Sequence, residues 1–220
     1  MHRFTVPGAS IDDIDYMIDH LDHHNTRVVN VRQPWASLLF SVKNIENRSV
    51  KLPANSAADP HCCVLVVASK TSSLSSKEFN GCIADAKLRF EKTMKESGVT
   101  DEYELLQHQQ AHIPDSKISY GDVSQHVIGM IKFRSRCNFT EDFAESDSVW
   151  NNKDAYAWCV AASVKFHTPF HFGNGSLGLV KLNGVNSNMA LLKRHALEEL
   201  NTIRTSASFS AHSSSAASSS

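Results

Sequence analysis

Apolar and polar positions along the chain divide it into recognisable elements. Ile11, Ile14, Met17, Ile18 and Leu21 recur at helical spacing behind Ser10 and Asp13, which have the spacing of a capping box, so a short amphipathic helix ending near His23 is predicted. Val28 to Arg32 (VVNVR) reads as a compact strand, stopped by Gln33 and Pro34. Proline suits the first turn of a helix, where its missing N–H would be unpaired anyway, and a second helix is predicted over Trp35 to Val42. Lys43 to Lys51 alternates in character and should be extended. Cys62 to Lys70 (CCVLVVASK) is apolar at successive positions, the pattern of a strand buried on both faces. Ser75 and Glu78 form a second capping box, and Phe79, Cys82, Ile83, Ala86, Phe90 and Met94 keep a 3.6 period up to Gly98, giving the longest helix. Thr100 to His112 predicts a short surface helix. Strands follow at His126 to Arg136, Ala155 to Phe166 and Gly175 to Leu182, with an acidic loop from Thr140 to Asp154 between the first two. Met189, Leu192, Ala196, Leu197, Leu200 and Ile203 place a closing helix.

Strands outnumber helices and do not alternate with them, which argues against a doubly wound parallel sheet. The expected class is α+β, a small mixed β-barrel with flanking helices. In this division residues 1–27 form a helical extension and 28–204 the domain, with a helical insertion at about 75–112. Residues 205–220 form a tail. Nine of those last sixteen residues are serine and none is charged, a composition too poor in apolar surface to offset the entropy of ordering, so a disordered tail is expected.

Charge sharpens the functional reading less than it first promises. The 22 Lys and Arg against 23 Asp and Glu give a net charge of -1, so any affinity for a polyanion must come from a local patch. The acidic residues concentrate at 12–22, 101–104 and 141–154, leaving the centre of the chain locally basic. No apolar run approaches the roughly 20 residues that span a bilayer, and the N-terminus lacks the apolar core of a signal peptide. An intracellular protein, cytoplasmic or nuclear, without a membrane partner is expected. The five cysteines are odd in number and show no Cys-x-x-Cys spacing, which predicts reduced thiols. His20, His23 and His24 cluster, His108 and His112 lie four apart, and His167 and His171 flank Pro169. None has an acidic or cysteine partner at a recognised metal-ligand spacing, so no metal and no cofactor are expected.

The segment RQPWASLL followed by SVKNIENR resembles the ASCH domain family, of the PUA-like superfamily. That family shows a QPWA-type helix start and then Gly-x-Lys-x-x-Glu-x-Arg; Lys43, Glu46 and Arg48 match, and Ser41 stands where glycine is usual. The resemblance extends more loosely to VLVVASK, HVIGMIKF and GSLGLVKL, covering about residues 28–182. It implies a PUA-related barrel and a role in RNA binding, with some members acting as ribonucleases or as N4-acetylcytidine amidohydrolases. In the amidohydrolases a threonine nucleophile occupies the position of Glu46 and a glutamate lies on a later strand. Here Glu46 replaces the threonine, and the strands at 126–136 and 155–166 hold no carboxylate.

The residues themselves allow a binding site. If 44–49 is extended, Asn44, Glu46 and Arg48 share a face while Ile45 and Asn47 point away. Lys43 then sits at the bend beside them, and the helix start at Pro34 and Trp35 offers N–H groups to an anion. Arg48 supplies a planar fork for phosphate, Lys43 a point charge, Glu46 an acceptor for an exocyclic amine. Trp35 supplies either a stacking face for a base or a core anchor. The candidate ligand-binding residues are therefore Trp35, Lys43, Asn44, Glu46 and Arg48, with RNA or a nucleotide-like molecule as partner. In a hydrolase Lys43 and Glu46 would be the catalytic pair. A non-catalytic protein-interaction domain is the third possibility. Lys132, Arg134 and Arg136 alternate on one strand face, a stripe that suits either a phosphate backbone or plain solvent. Lys87, Arg89, Lys92 and Lys95 read as the wet side of the long helix.

Overall fold

The computed structural model describes residues 8–23, 26–52, 61–70, 74–134, 148–152, 156–172, 179–181 and 187–217. Its elements are α1 (Ile11–His23), β1 (Arg27–Val31), α2 (Trp35–Leu38), β2 (Ile45–Arg48), β3 (His61–Ala68), α3 (Ser76–Glu96), α4 (Glu102–His112), β4 (His126–Arg134), β5 (Tyr156–His171), β6 (Leu179–Lys181) and α5 (Ser187–Ala217). One sheet runs β2-β5-β4-β3-β1-β6. β1 is parallel to β3, and every other pairing between these strands is antiparallel. The α+β arrangement of a mixed sheet with flanking helices is thus present as a half-barrel, with β2 and β6 as its edges. No helix among the described residues is long and apolar enough to cross a membrane.

The sheet is buried on both faces, and β3 shows why. Cys63, Leu65 and Val67 join the core under α1 and α5, with Met17, Leu21, Leu192 and Leu200, while Cys62, Val64, Val66 and Ala68 face the opposite core with Ala36, Leu39, Phe133 and Trp158. A fully buried Val or Leu contributes roughly 1.5–3 kcal/mol, so this continuous apolar run anchors both layers. α3 and α4 build a third cluster, where Phe79, Ile83, Ala86, Phe90, Leu105 and Ile113 meet Ile45, Trp150 and Cys159. Both capping boxes form: Ser10 Oγ accepts from Asp13 N at 3.1 Å, and the Ser75 hydroxyl accepts from Glu78 N. Gly98, at φ 94°, follows the end of α3 in the left-handed conformation that glycine adopts without strain.

Three boundaries differ from the sequence pattern. α2 stops at Leu38 instead of reaching Val42, because the amides of Ser41, Val42 and Lys43 all turn onto the Leu38 carbonyl, at 3.1, 3.0 and 2.8 Å. β5 continues past Phe166 to His171 despite Pro169. The β4–β5 register jumps from Gly129↔Lys165 to Val127↔Phe170, so the proline falls in an irregularity that asks no ladder bond of it. Glu199 of α5 takes the amides freed there, His167 N at 2.7 Å and Thr168 N at 3.2 Å. α5 runs past the expected boundary at Thr205 to Ala217; hydroxyls of Thr205, Ser206 and Ser208 bond carbonyls four residues back, and Arg204 Nε pairs with Asp15 at 2.6 Å. The expectation of five reduced cysteines also fails. Cys159 is disulfide-bonded, with its partner outside the described residues, while Cys62, Cys63 and Cys82 are reduced thiols. An odd count excludes complete pairing, not a single bridge.

The basic stripe on β4 has a structural use. Lys132 Nζ pairs with Asp13 of α1 at 3.0 Å and lies 4.3 Å from the Tyr16 ring centroid. It is therefore committed to holding α1 on the sheet. Arg134 is exposed at the end of β4, and Arg136 lies outside the described residues. Burial pushes the Asp13 carboxyl up, but the Ser10 hydroxyl, Lys132 and the Ser10 amide together hold it below its ordinary 3.8. A depressed carboxylate adds stability that is full above 3.8 and lost as pH falls through the lower folded-state value. Asp13→Asn is accordingly expected to remove part of the acid-side stability loss below that pH, measured as urea-unfolding midpoints between pH 2 and pH 6.

Candidate functional site

The early end of α2 delivers Lys43 into the protein beside β2. Its ammonium is buried and donates to Glu46 Oε2 at 2.5 Å. Glu46, also buried, meets Arg48 on its other oxygen: Nε is 2.9 Å from Oε1, at ion-pair distance but off the hydrogen-bond direction. Arg48 Nη2 donates to the Asn30 carbonyl at 2.8 Å, and its Cζ lies 5.8 Å from the Trp158 ring centroid. Burial drives the Lys43 pKa below its ordinary 10.5; Glu46 opposes that shift, and the positive charges of Arg48 and Arg89 reinforce it. The three motif residues expected together are thus together, in one Lys–Glu–Arg cluster.

They line a cleft of about 520 Å³. Its walls come from the ends of β1 and β3 (Asn30, Val31, Arg32, Ser69, Lys70), from β2 (Glu46, Asn47, Arg48), from α3 (Asp85, Arg89) and from the turn at 148–152 (Trp150, Asn152), with Trp35 and Lys43 between them. Parallel pairing of β1 with β3, Val31 opposite Ala68, brings their C-terminal ends to one place. Among the described residues, five lining side chains are cationic (Arg32, Lys43, Arg48, Lys70, Arg89) and two are acidic (Glu46, Asp85). The average charge of the chain hides this basic concentration.

Trp35 is both a core residue and a cleft-lining one. It is half-buried against two core clusters, and it lines the cleft with its ring edge-to-face on Trp150, centroids 6.2 Å apart at 75°. Asn44 departs from expectation. It precedes β2, so strand alternation does not yet govern it, and its Oδ1 accepts from Ser148 Oγ at 2.8 Å without lining the cleft. Asn47 instead lines the cleft and clamps the turn, donating to the Trp150 carbonyl at 2.7 Å and accepting from Asn152 N at 2.8 Å. The anion site expected at the start of α2 is not formed. That helix is a single turn, too short for a useful dipole, and its amides are taken: Ala36 N by Arg32 O, Ser37 N by Gln33 Oε1, Leu38 N by Pro34 O.

A scan against protein-family models and a search of curated proteins return no match for this chain.

Sequence reasoning missed Arg89, placing it on a solvated helix face. Arg89 Nε bridges both oxygens of Asp85, at 3.0 and 3.1 Å, and Nη1 donates to Val149 O at 2.5 Å. The available signal was its place next to Phe90 and four residues from Asp85, at the border between the buried and wet faces of α3. Trp150 lay in a stretch read only as an acidic loop. Among the described residues no group of three His, Cys, Asp or Glu side chains is placed to hold a metal ion.

Proposed function

We propose that this protein is an ASCH-type module that binds RNA or a nucleotide-like ligand in the cleft built on Lys43, Glu46 and Arg48. The observation that carries this reading is the excess of cationic over acidic side chains among the described residues around a cavity that also holds Trp35 and Trp150, in a chain of net charge -1. Cations answer phosphate, an aromatic face accepts an unpaired base, and Glu46 keeps Lys43 and Arg48 together without cancelling the excess. The matching motif residues support the family assignment, and the amino-acid resemblance supplies RNA as the ligand class.

Anisotropy of a labelled single-stranded oligoribonucleotide tests it. Arg48→Ala removes a charge-assisted contact worth about 1.5–3 kcal/mol, so the affinity should drop roughly 10- to 100-fold. Lys132→Ala, remote from the cleft, should leave it unchanged. Absence of binding, or an equal loss in both variants, rejects the reading. The lowered Lys43 pKa favours a second reading, a hydrolase in which Lys43 acts as base with Glu46. RNA or acetylcytidine product that is lost on Lys43→Ala would mark it, in the same incubations.

A further inference from the structure

Among the described residues, two guanidinium nitrogens of the cleft-lining arginines Arg48 and Arg89 have neither a hydrogen-bond nor an ion-pair partner. Arg48 keeps Nε at ion-pair distance from Glu46 without a hydrogen bond and donates Nη2 to Asn30, and Arg89 donates Nε to Asp85 and Nη1 to Val149. Arg48 Nη1 and Arg89 Nη2 have no protein partner among the described residues, and both side chains are partly exposed, at 23% and 33%. The remaining bonds fix each fork: Arg48 through β2 and β1, Arg89 through its own helix and the Val149 carbonyl. Preorganised forks of this kind suit a phosphoryl group, which accepts from several donors at once.

Size and charge narrow the ligand. A single-strand track covers at least about four nucleotides, whereas a cavity of about 520 Å³ falls in the range of roughly 300–1,000 Å³ that holds one small molecule. The described lining carries five cations against two acids, an excess better matched by a terminal phosphate, with about two negative charges at neutral pH, than by an internal diester with one. Resting on the nucleotide-binding reading above, we infer that the cleft takes a single phosphorylated nucleotide or strand end, its terminal phosphate held between Arg48 and Arg89 and its base against Trp35. Arg89 is then a ligand-binding residue contributed by the helical insertion. A dianion in this position would also relieve the repulsion that both arginines exert on Lys43.

Calorimetric titration of the full chain with adenosine, adenosine 5′-monophosphate and the methyl ester of that phosphate tests the inference. Wild type should bind the monophosphate about tenfold or more tighter than either of the others, the scale of one charge-assisted contact. In Arg89→Gln that preference should fall to about threefold or less, while affinity for adenosine itself holds. Because Arg89 also braces Val149, thermal melting accompanies each variant, and Arg89→Lys, which keeps the charge but loses the fork, supplies an intermediate preference if the glutamine variant does not fold. Equal binding of nucleoside and monophosphate by wild type overturns the inference, as does an unchanged preference in both Arg89 variants. If the oligoribonucleotide still binds in an Arg48-dependent manner in either case, the broader reading survives; if no probe binds, both fall together.

Discussion

Glu46→Gln is expected to destabilise the protein by about 3–5 kcal/mol, because it leaves a fully buried lysine without its counter-charge. Lys43 has no second carboxylate among its described partners, and the nearby charges of Arg48 and Arg89 are of its own sign. There is a ceiling on the cost. Lys43 can shed its proton, and against an ordinary value of 10.5 that release at pH 7 costs about 5 kcal/mol at roughly 1.4 kcal/mol per pH unit. The loss should therefore depend on pH. With the folded-state value depressed below 10.5, the unfolded chain binds more protons across the interval between the two, and stability rises with pH there. Removing Glu46 depresses the folded-state value further, so the deficit of the variant is largest near neutrality and shrinks as pH climbs toward 10.5. Urea unfolding at pH 7 and pH 9.5 measures this. Lys43→Met with Glu46→Gln should recover most of the stability, since Arg48 keeps access to solvent. A single variant within about 1 kcal/mol of wild type, a value ordinary for exposed pairs, would mean that water reaches the cluster.

The second large effect is expected at Gly129 in the centre of β4. A Cβ built there falls 2.3 Å from the carbonyl oxygen of Val164 on the paired strand and 2.5 Å from Cε1 of Phe40. The Phe40 ring can rotate aside, but the carbonyl belongs to the β4–β5 ladder and moves only if the strands part. Gly129→Ala should cost about 3 kcal/mol or more, at the upper end of what overpacking does. Combining it with Phe40→Leu should restore little of that loss. Thermal melts of the two variants decide the matter: full recovery in the double variant would assign the conflict to the ring and leave the backbone contact unimportant.

The legible part of the site was the part built from local sequence. Lys43 and Glu46 lie three apart and Arg48 two beyond, and strand alternation alone sends Ile45 inward to the core and puts Glu46 and Arg48 on one side. The same locality made both capping boxes and the double-sided burial of β3 readable. Alternation misled at Asn44, which precedes the strand, and on β4, where it identified Lys132 as sharing a face with Arg134 but could not say what covers that face.

Local pattern thus determined the helices, the strands, their mixed order and the Lys–Glu–Arg cluster, because hydrogen-bond geometry and side-chain period act over a few residues. Tertiary structure alone decided the cleft. Arg89 meets Val149 across 60 positions, Asn47 holds Trp150 across 103, and Lys132 reaches Asp13 across 119. No residue's own neighbours in sequence encode such meetings. They follow from parallel pairing of β1 with β3, from the placing of β2 beside β5, and from the seating of α3 on Ile45 and Trp150. That assembly gathers cations scattered through a nearly neutral chain into one basic cavity, a concentration that net charge averages away.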